Sequence, residues 1–247
     1  MNIVVDIGNT LIKTAIFDNG KIIEKKTFED CNYKKIAKNI TEFKKKYEAA
    51  ENLILSTVRK PDEEFITFLN KDFKNFVFFD AETKLPVKNY YKTPETLGKD
   101  RIAGVVAASN IFPETNILVF DAGTALTIDF INDKKEYYGG SIAPGIEMRY
   151  KALNYFTDKL PEVRKNEKFE EIYGDSTENA IYSGVQNGIL YEAEGHIERF
   201  SRKYPGLKVT FTGGDTFFFE RRIKKQIFAE PNLVLIGLNI ILNCNAK

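Results

Sequence analysis

Histidine is nearly absent. His196 is the single one in 247 residues, which excludes a histidine-rich zinc site and leaves His196 to be read as an ordinary helix residue. Cysteine is almost as scarce: Cys31 and Cys244 lie far apart and form neither a CxxC nor a metal-spaced cluster, which suits a reduced compartment and predicts a cytoplasmic location. An excess of one charge is also missing. The 36 basic and 35 acidic residues leave a net charge of +1, so neither a nucleic acid nor an anionic membrane is expected as partner. No apolar run approaches a spanning helix, and Asp6 arrives before the apolar region of a signal peptide could form. The chain has no GxxxxGK[ST] and no GxGxxG, so any phosphate must be held by something other than a P-loop or a Rossmann turn.

What is present begins at once. The stretch IVVDIGNTLIKTAIFD reads as two buried strands, about residues 2-7 and 11-17, joined by a polar turn that carries Asp6, Gly8, Asn9 and Thr10. Asn and Gly are what a turn between twisted strands requires, so a plain hairpin is one reading. The other is a nest of backbone N–H groups that cradles an anion while Asp6 handles its counter-cation. A third strand at 21-28 completes a meander. A helix over about Tyr33–Glu48, the buried strand LILSTV, a helix after Pro61 and the strand FVFF follow. This order mixes a meander with crossover helices and predicts an α/β domain with a mixed sheet.

The second half opens as the first did, with NILVFDAGTALTIDF. A shift of 115 positions lays Asp6 on Asp121, Gly8 on Gly123 and Asn9 on Thr124, and Asp18-Asn19-Gly20 falls on Asp133-Lys134-Lys135. One unit used twice predicts two lobes, 1-112 and 113-247. Between the openings lies YKTPETLGKDRIAGVVAA, read as a small-residue helix from about Glu95 to Ile111. Later come GGSIAPG, leading into a helix with Pro144 near its start, and a long helix capped near Ser176 and Thr177. The strand LKVTFTGGD follows, and the chain closes with the apolar helix PNLVLIGLNIILN. The stripe of that last helix reads as core, as a helix seam or as a dimer surface.

Facing Asp-x-Gly turns can hold phosphate with exposed N–H groups, the Asn9 amide and the Thr10 and Thr124 hydroxyls. Lys13 reads either as a phosphate ligand returned toward the turn by strand pleating or as a surface lysine on an edge strand. Asp100 and Arg101 read either as a solvated pair or as a proton acceptor beside a fork-shaped cation suited to a carboxylate. Two carboxylates, Asp6 and Asp121, turned toward one polyanion would repel by roughly 4 kcal/mol at about 4 Å and a dielectric near 20, which argues for a second cation unless Asp121 merely caps its turn.

The patterns DIGNT with its lysine, DAGTALT and TGGD resemble the phosphate-1, phosphate-2 and adenosine motifs of the acetate kinase, sugar kinase, Hsp70 and actin superfamily. The ordered set DIGNT, YKTPETLGKDR, DAGTALT, GGSIAPG, STENAI and TGGD is similar to that of type III pantothenate kinases and spans nearly the whole chain. The resemblance implies an α/β fold of two similar ribonuclease H-like lobes, each a mixed sheet with flanking helices, of the actin-like ATPase superfamily. It also implies ATP-dependent phosphorylation of pantothenate, the first step of coenzyme A biosynthesis. By resemblance, Asp6, Ile7, Gly8, Asn9, Thr10, Leu11, Ile12, Lys13 and Thr124 would bind ATP. Tyr91, Gly98, Lys99, Asp100, Arg101 and Thr177 would bind pantothenate, with Asp100 the proton acceptor. Asp121 would hold a monovalent cation, K⁺ or NH₄⁺, in addition to Mg²⁺, and the protein would be a homodimer. Another small-molecule kinase of the superfamily, and an ATP-responsive regulator without catalysis, remain alternatives at this level.

Overall fold

Strand β1 (Asn2–Ile7) buries apolar side chains along nearly its whole length, as a strand covered on both faces must. It pairs antiparallel with β2 (Ile12–Asp18), which pairs antiparallel with β3 (Lys21–Phe28). The β2–β3 link is the two-residue turn Asn19-Gly20 with φ of 48° and 78°, the left-handed pair that matches the twist of a hairpin. On its other side β1 runs parallel to β4 (Asn52–Thr57), and β4 to β5 (Asn75–Phe78), giving the order β3-β2-β1-β4-β5. Parallel neighbours need crossovers, supplied by α1 (Tyr33–Lys46) and α2 (Glu63–Asp72), which are capped by Asn32 and Asp62. Because β2 lies between β1 and β3, Lys13 is not on an edge strand. That edge is β3, whose alternately exposed lysines discourage pairing with another chain.

The structure, a computed structural model, describes residues 1–29 and 32–246. Cys31 therefore lies outside the described residues, and Cys244 is an exposed free thiol. After a short strand β6 (Lys88–Asn89), the expected helix over 95-111 is broken in two. A 3₁₀ turn (Pro94–Thr96) leads to extended Leu97, and α3 starts only at Lys99 and runs to Ile111.

A second unit repeats the plan. Strands β7 (Ile117–Ala122), β8 (Ala125–Ile131) and β9 (Glu136–Pro144) form a meander, and β10 (Lys208–Thr212) and β11 (Phe228–Ala229) extend it in parallel from β7. Among the five strands that this unit contributes, the order β9-β8-β7-β10-β11 is that of the first sheet. Pro144 ends β9 rather than starting a helix; α4 (Ile146–Tyr155) begins after Gly145, whose N–H donates to the Thr124 carbonyl at 3.2 Å. The long helix expected from Ser176 is interrupted. It runs as α5 (Thr177–Tyr182), a π-helical turn over Ser183–Asn187 and α6 (Gly188–Lys203). Gln186 lies buried in that π-helical turn, its amide oxygen accepting from Tyr150 Oη at 2.9 Å and the Asn166 N–H at 2.8 Å. The short helix α7 (Thr216–Glu220) follows β10.

Two compact units result, Met1–Ile111 with Asn232–Lys247, and Phe112–Pro231. The expected second lobe, 113-247, is thereby corrected, because the closing helix α8 (Leu233–Asn245) belongs with the first unit. Two physical features hold it there. A chain of amides crosses the starts of three strands, Asn75 donating to Asn52 at 2.8 Å, Asn52 to Asn2 at 2.9 Å, and Asn2 to both Asn239 and Asn243 at 2.7 Å. Helix α8 also packs along α3 so closely that a Cβ on Gly237 would lie 1.9 Å from the Ala103 carbonyl oxygen, so only glycine fits. Its apolar residues are core, and the reading of this stripe as a dimer surface is set aside.

Candidate active site

The first sheet places its chemistry at one edge. In the parallel set β1, β4 and β5, the carboxyl ends carry Asp6, then Ser56 and Thr57, then Asp80 just beyond β5. The crevice outside such strand ends is where open α/β sheets bind ligands. Asp6 stands opposite Lys13 on β2 and Ser56 on β4. Between β1 and β2 the turn Gly8–Leu11 closes with the Gly8 N–H donating to the Leu11 carbonyl at 3.0 Å and leaves Asn9, Thr10 and Leu11 exposed, while Ile7 and Ile12 are buried beneath it.

Burial pushes the Asp6 carboxyl up to about 6. A hydrogen bond from Ser56 opposes this, the negative charge of Asp100 adds to it, and the Lys13 ammonium pulls the other way. The coupling brings the two candidate carboxylates together, since Asp100 enters from the first turn of α3, where the helix dipole favours an acid. Asp100 Oδ1 accepts from the Arg101 N–H at 2.9 Å and lies over Gly98. Arg101 is buried, with its guanidinium 5.5 Å from the Tyr91 ring centroid. Lys99 turns elsewhere: its ammonium donates to the Thr57 carbonyl at 3.3 Å and sits 4.9 Å from the Phe78 ring. Burial lowers its pKa against the pull of Asp80. Tyr91, Gly98, Asp100 and Arg101 thus gather in the first unit with Asp6 and Lys13, while Lys99 braces the strand ends.

In the second unit Asp121 is the penultimate residue of β7 and Thr124 is exposed on the following turn. This turn is tighter than the first by one residue. The position across from Asp121 is Thr127, where the first hairpin has Lys13, so the repeat at 115 slips to 114 after the turn. Gly213, at φ +93°, comes so close that a Cβ there would lie 2.5 Å from Asp121 Oδ1, and a Cβ on Gly123 would lie at 3.3 Å. The TGGD aspartate, Asp215, is paired with Lys165 at 2.7 Å. Thr177 is exposed at the start of α5 in this unit, beside the capping Ser176. Among the described residues no three or more His, Cys, Asp or Glu side chains cluster as a metal centre.

The sequence motifs missed Ser56, which fixes Asp6, and Arg59, whose guanidinium donates to the Asn9 carbonyl at 2.5 Å. Neither lies in a recognisable motif, and only the parallel pairing of β1 with β4 brings them to the turn.

Comparison with known proteins adds the family. The sequence model described as type III pantothenate kinase matches residues 2–199. The chain belongs to the type III pantothenate kinase family. A type III pantothenate kinase of Christiangramia forsetii is 43% identical over 245 residues, covering 99% of both chains. One from Cytophaga hutchinsonii is 44% identical over 249 residues, covering 99% of this chain and all of its own. Among solved structures, a Baf family protein from Campylobacter jejuni superposes with a TM-score of 0.61 at 23% identity over 98% of each chain. A ROK family glucokinase from Streptomyces griseus reaches 0.54 at 9% identity over 98% of this chain and 99% of its own. These likenesses show the two-sheet fold.

The raised pKa of Asp6 has a defined sign. Its protonated form is favoured by folding, so its contribution to stability is complete below the ordinary value of 3.8 and is lost as pH rises through about 6. Above that, the buried charge costs about 3 kcal/mol. Asp6→Asn is therefore expected to raise the urea unfolding free energy by about 2–3 kcal/mol at pH 8 and to change it little at pH 4. Equal stabilisation at both pH values would contradict this.

Proposed function

We propose that the chain transfers the γ-phosphoryl group of ATP to the primary hydroxyl of pantothenate, giving 4'-phosphopantothenate, the first step of coenzyme A biosynthesis. The observation that carries the residue roles is Asp100, a carboxylate at a helix start, close to Asp6 and next to the buried cation Arg101. Asp100 orients the hydroxyl and takes its proton; Arg101 anchors the substrate carboxylate, with the Tyr91 ring beside its guanidinium. The turn N–H groups and Lys13 receive the phosphates.

Mg²⁺ retains water and takes phosphate oxygens, so it needs only one or two protein carboxylates, a place that Asp6 would fill while Asp100 serves as the proton acceptor. Bound there, it supplies neutralisation of phosphate charge. For the monovalent cation, K⁺ or NH₄⁺, the support is the family resemblance of the DAGT motif, in which Asp121 is the carboxylate. A homodimer is supported by apolar side chains left on the surface of the second unit: Tyr155 (81% exposed) and Phe156 (79%) at the end of α4, with Ile172 (76%) and Tyr173 (77%). The Ile172 carbonyl is held by Ser183 in the π-helical turn against which α4 also packs.

Asp100→Asn is expected to lower kcat by about 10²–10⁴-fold with ATP affinity nearly unchanged, and Arg101→Ala to weaken pantothenate binding in calorimetry. Half of the wild-type turnover in Asp100→Asn would remove the assignment. In Tris or choline buffer with Mg²⁺ and ATP, titration of K⁺ or NH₄⁺ at constant ionic strength is expected to restore activity, and Asp121→Asn to lose that dependence. Full activity without either ion would eliminate the second cation. Sedimentation velocity is expected to give a dimer at micromolar concentration and a monomer for Tyr155→Glu with Phe156→Glu; a monomeric wild type would refute the interface.

A further inference from the structure

Arg59 lies just past the end of β4, outside every motif that marks the site. Its place is nevertheless firmly set. Thr57 is in register with Ile7, and the Val58 N–H donates to the Ile7 carbonyl at 3.1 Å, which carries the β1–β4 pairing one step beyond the strands. The Thr57 hydroxyl then binds both backbone groups of Arg59, accepting from its N–H at 3.0 Å and donating to its carbonyl at 2.9 Å. From this clamp the exposed guanidinium reaches the Asn9 carbonyl, in the turn whose N–H groups form the phosphate grip.

Charge at this edge is otherwise poorly suited to a triphosphate. Asp6 and Asp100 contribute two carboxylates. Of the nearby lysines, Lys99 is drawn to the Thr57 carbonyl and the Phe78 face, leaving Lys13 on the hairpin itself. A guanidinium has five N–H donors in a planar fork that matches phosphate oxygens, and one bond to a carbonyl uses a fraction of them. We propose that Arg59 is a phosphate-contacting residue of the ATP site, acting beside Lys13 on the charge of the triphosphate. The proposal rests on reading the Gly8–Leu11 turn as the phosphate grip.

The competing role is mechanical: Arg59 would only hold the turn through Asn9. Glutamine keeps an N–H donor for that carbonyl and loses the charge, whereas lysine keeps both a donor and the charge. Arg59→Gln, Arg59→Lys and Lys13→Gln are compared by calorimetry with a non-hydrolysable ATP analogue and with AMP, and by kcat, after thermal melts show each variant folded at the assay temperature. For Arg59→Gln, at least about a tenfold loss of analogue affinity is expected, with AMP affinity within about twofold and kcat reduced about tenfold or more, while Arg59→Lys recovers most of both. Equal behaviour of Arg59→Gln and Arg59→Lys, or equal losses for analogue and AMP, would overturn the proposal in favour of the turn clamp. If Lys13→Gln alone separates analogue from AMP, Arg59 fails and the grip stands; if neither position separates them, the grip itself is wrong.

Discussion

The carboxylate of Asp6, held at the end of a buried strand, is the constraint around which the first unit is arranged. Ionising it there costs free energy, and the fold accepts that cost with one hydroxyl from Ser56 and one ammonium from Lys13 as compensation, while Asp100 makes matters worse. A sequence selected for stability alone would place an amide or an aliphatic residue at this point. Two like charges brought together at these strand ends are instead a setting whose repulsion a bound cation would relieve. Binding and destabilisation are thus the same electrostatic fact seen with and without ligand.

That arrangement requires α3 to present Asp100 at a fixed depth, and α3 is fixed from behind. Its residues Arg101 to Ser109 are buried on nearly every side, which removes the amphipathic pattern a surface helix would show. The close approach of Gly237 to Ala103, and the amide chain from Asn75 through Asn52 and Asn2 to Asn239 and Asn243, set α8 against both α3 and the sheet. Buried amides tolerate little displacement, since a shift of α8 would leave donors without acceptors. The last helix of the chain therefore serves as a backing plate for the helix that carries the acid.

Local rules made much of this readable in advance. Strand alternation, the Asn19-Gly20 turn and the capped helices α1 and α2 depend on neighbours a few residues apart, and they stand as the sequence indicated. The Asp-x-Gly turns were legible for the same reason, and their repetition anticipated two sheets with one strand order. What escaped depends on distant partners. The Asn2–Asn239 bond joins residues 237 positions apart, so nothing local announced that α8 belongs to the first unit. Gln186, in the π-helical turn, meets Tyr150 and Asn166 only through the tertiary fold, and Arg59 meets Asn9 only because β4 lies beside β1. Extending the apolar pattern back to Glu95 likewise overlooked that Leu97 is extended, which delays α3 until Lys99.

The repeated unit is not repeated chemically, and the difference follows from a single residue of turn length. Four residues separate the last pair of β1 and β2, Ile7 with Ile12, whereas three separate Ala122 from Leu126. Because strand side chains alternate, removing one residue from the turn while keeping the apolar face inward shifts which residue stands opposite the aspartate. Lys13 occupies that place in the first hairpin and Thr127 in the second, so the two aspartates have unlike partners. Asp6 is set between an ammonium and a hydroxyl, a setting suited to a carboxylate that works with phosphates and their cation. Asp121 has a hydroxyl-bearing residue opposite, and Gly213 approaches it so closely that a Cβ there would lie 2.5 Å from its Oδ1. Duplication thus kept the strand order, while register changed which residue stands opposite each aspartate.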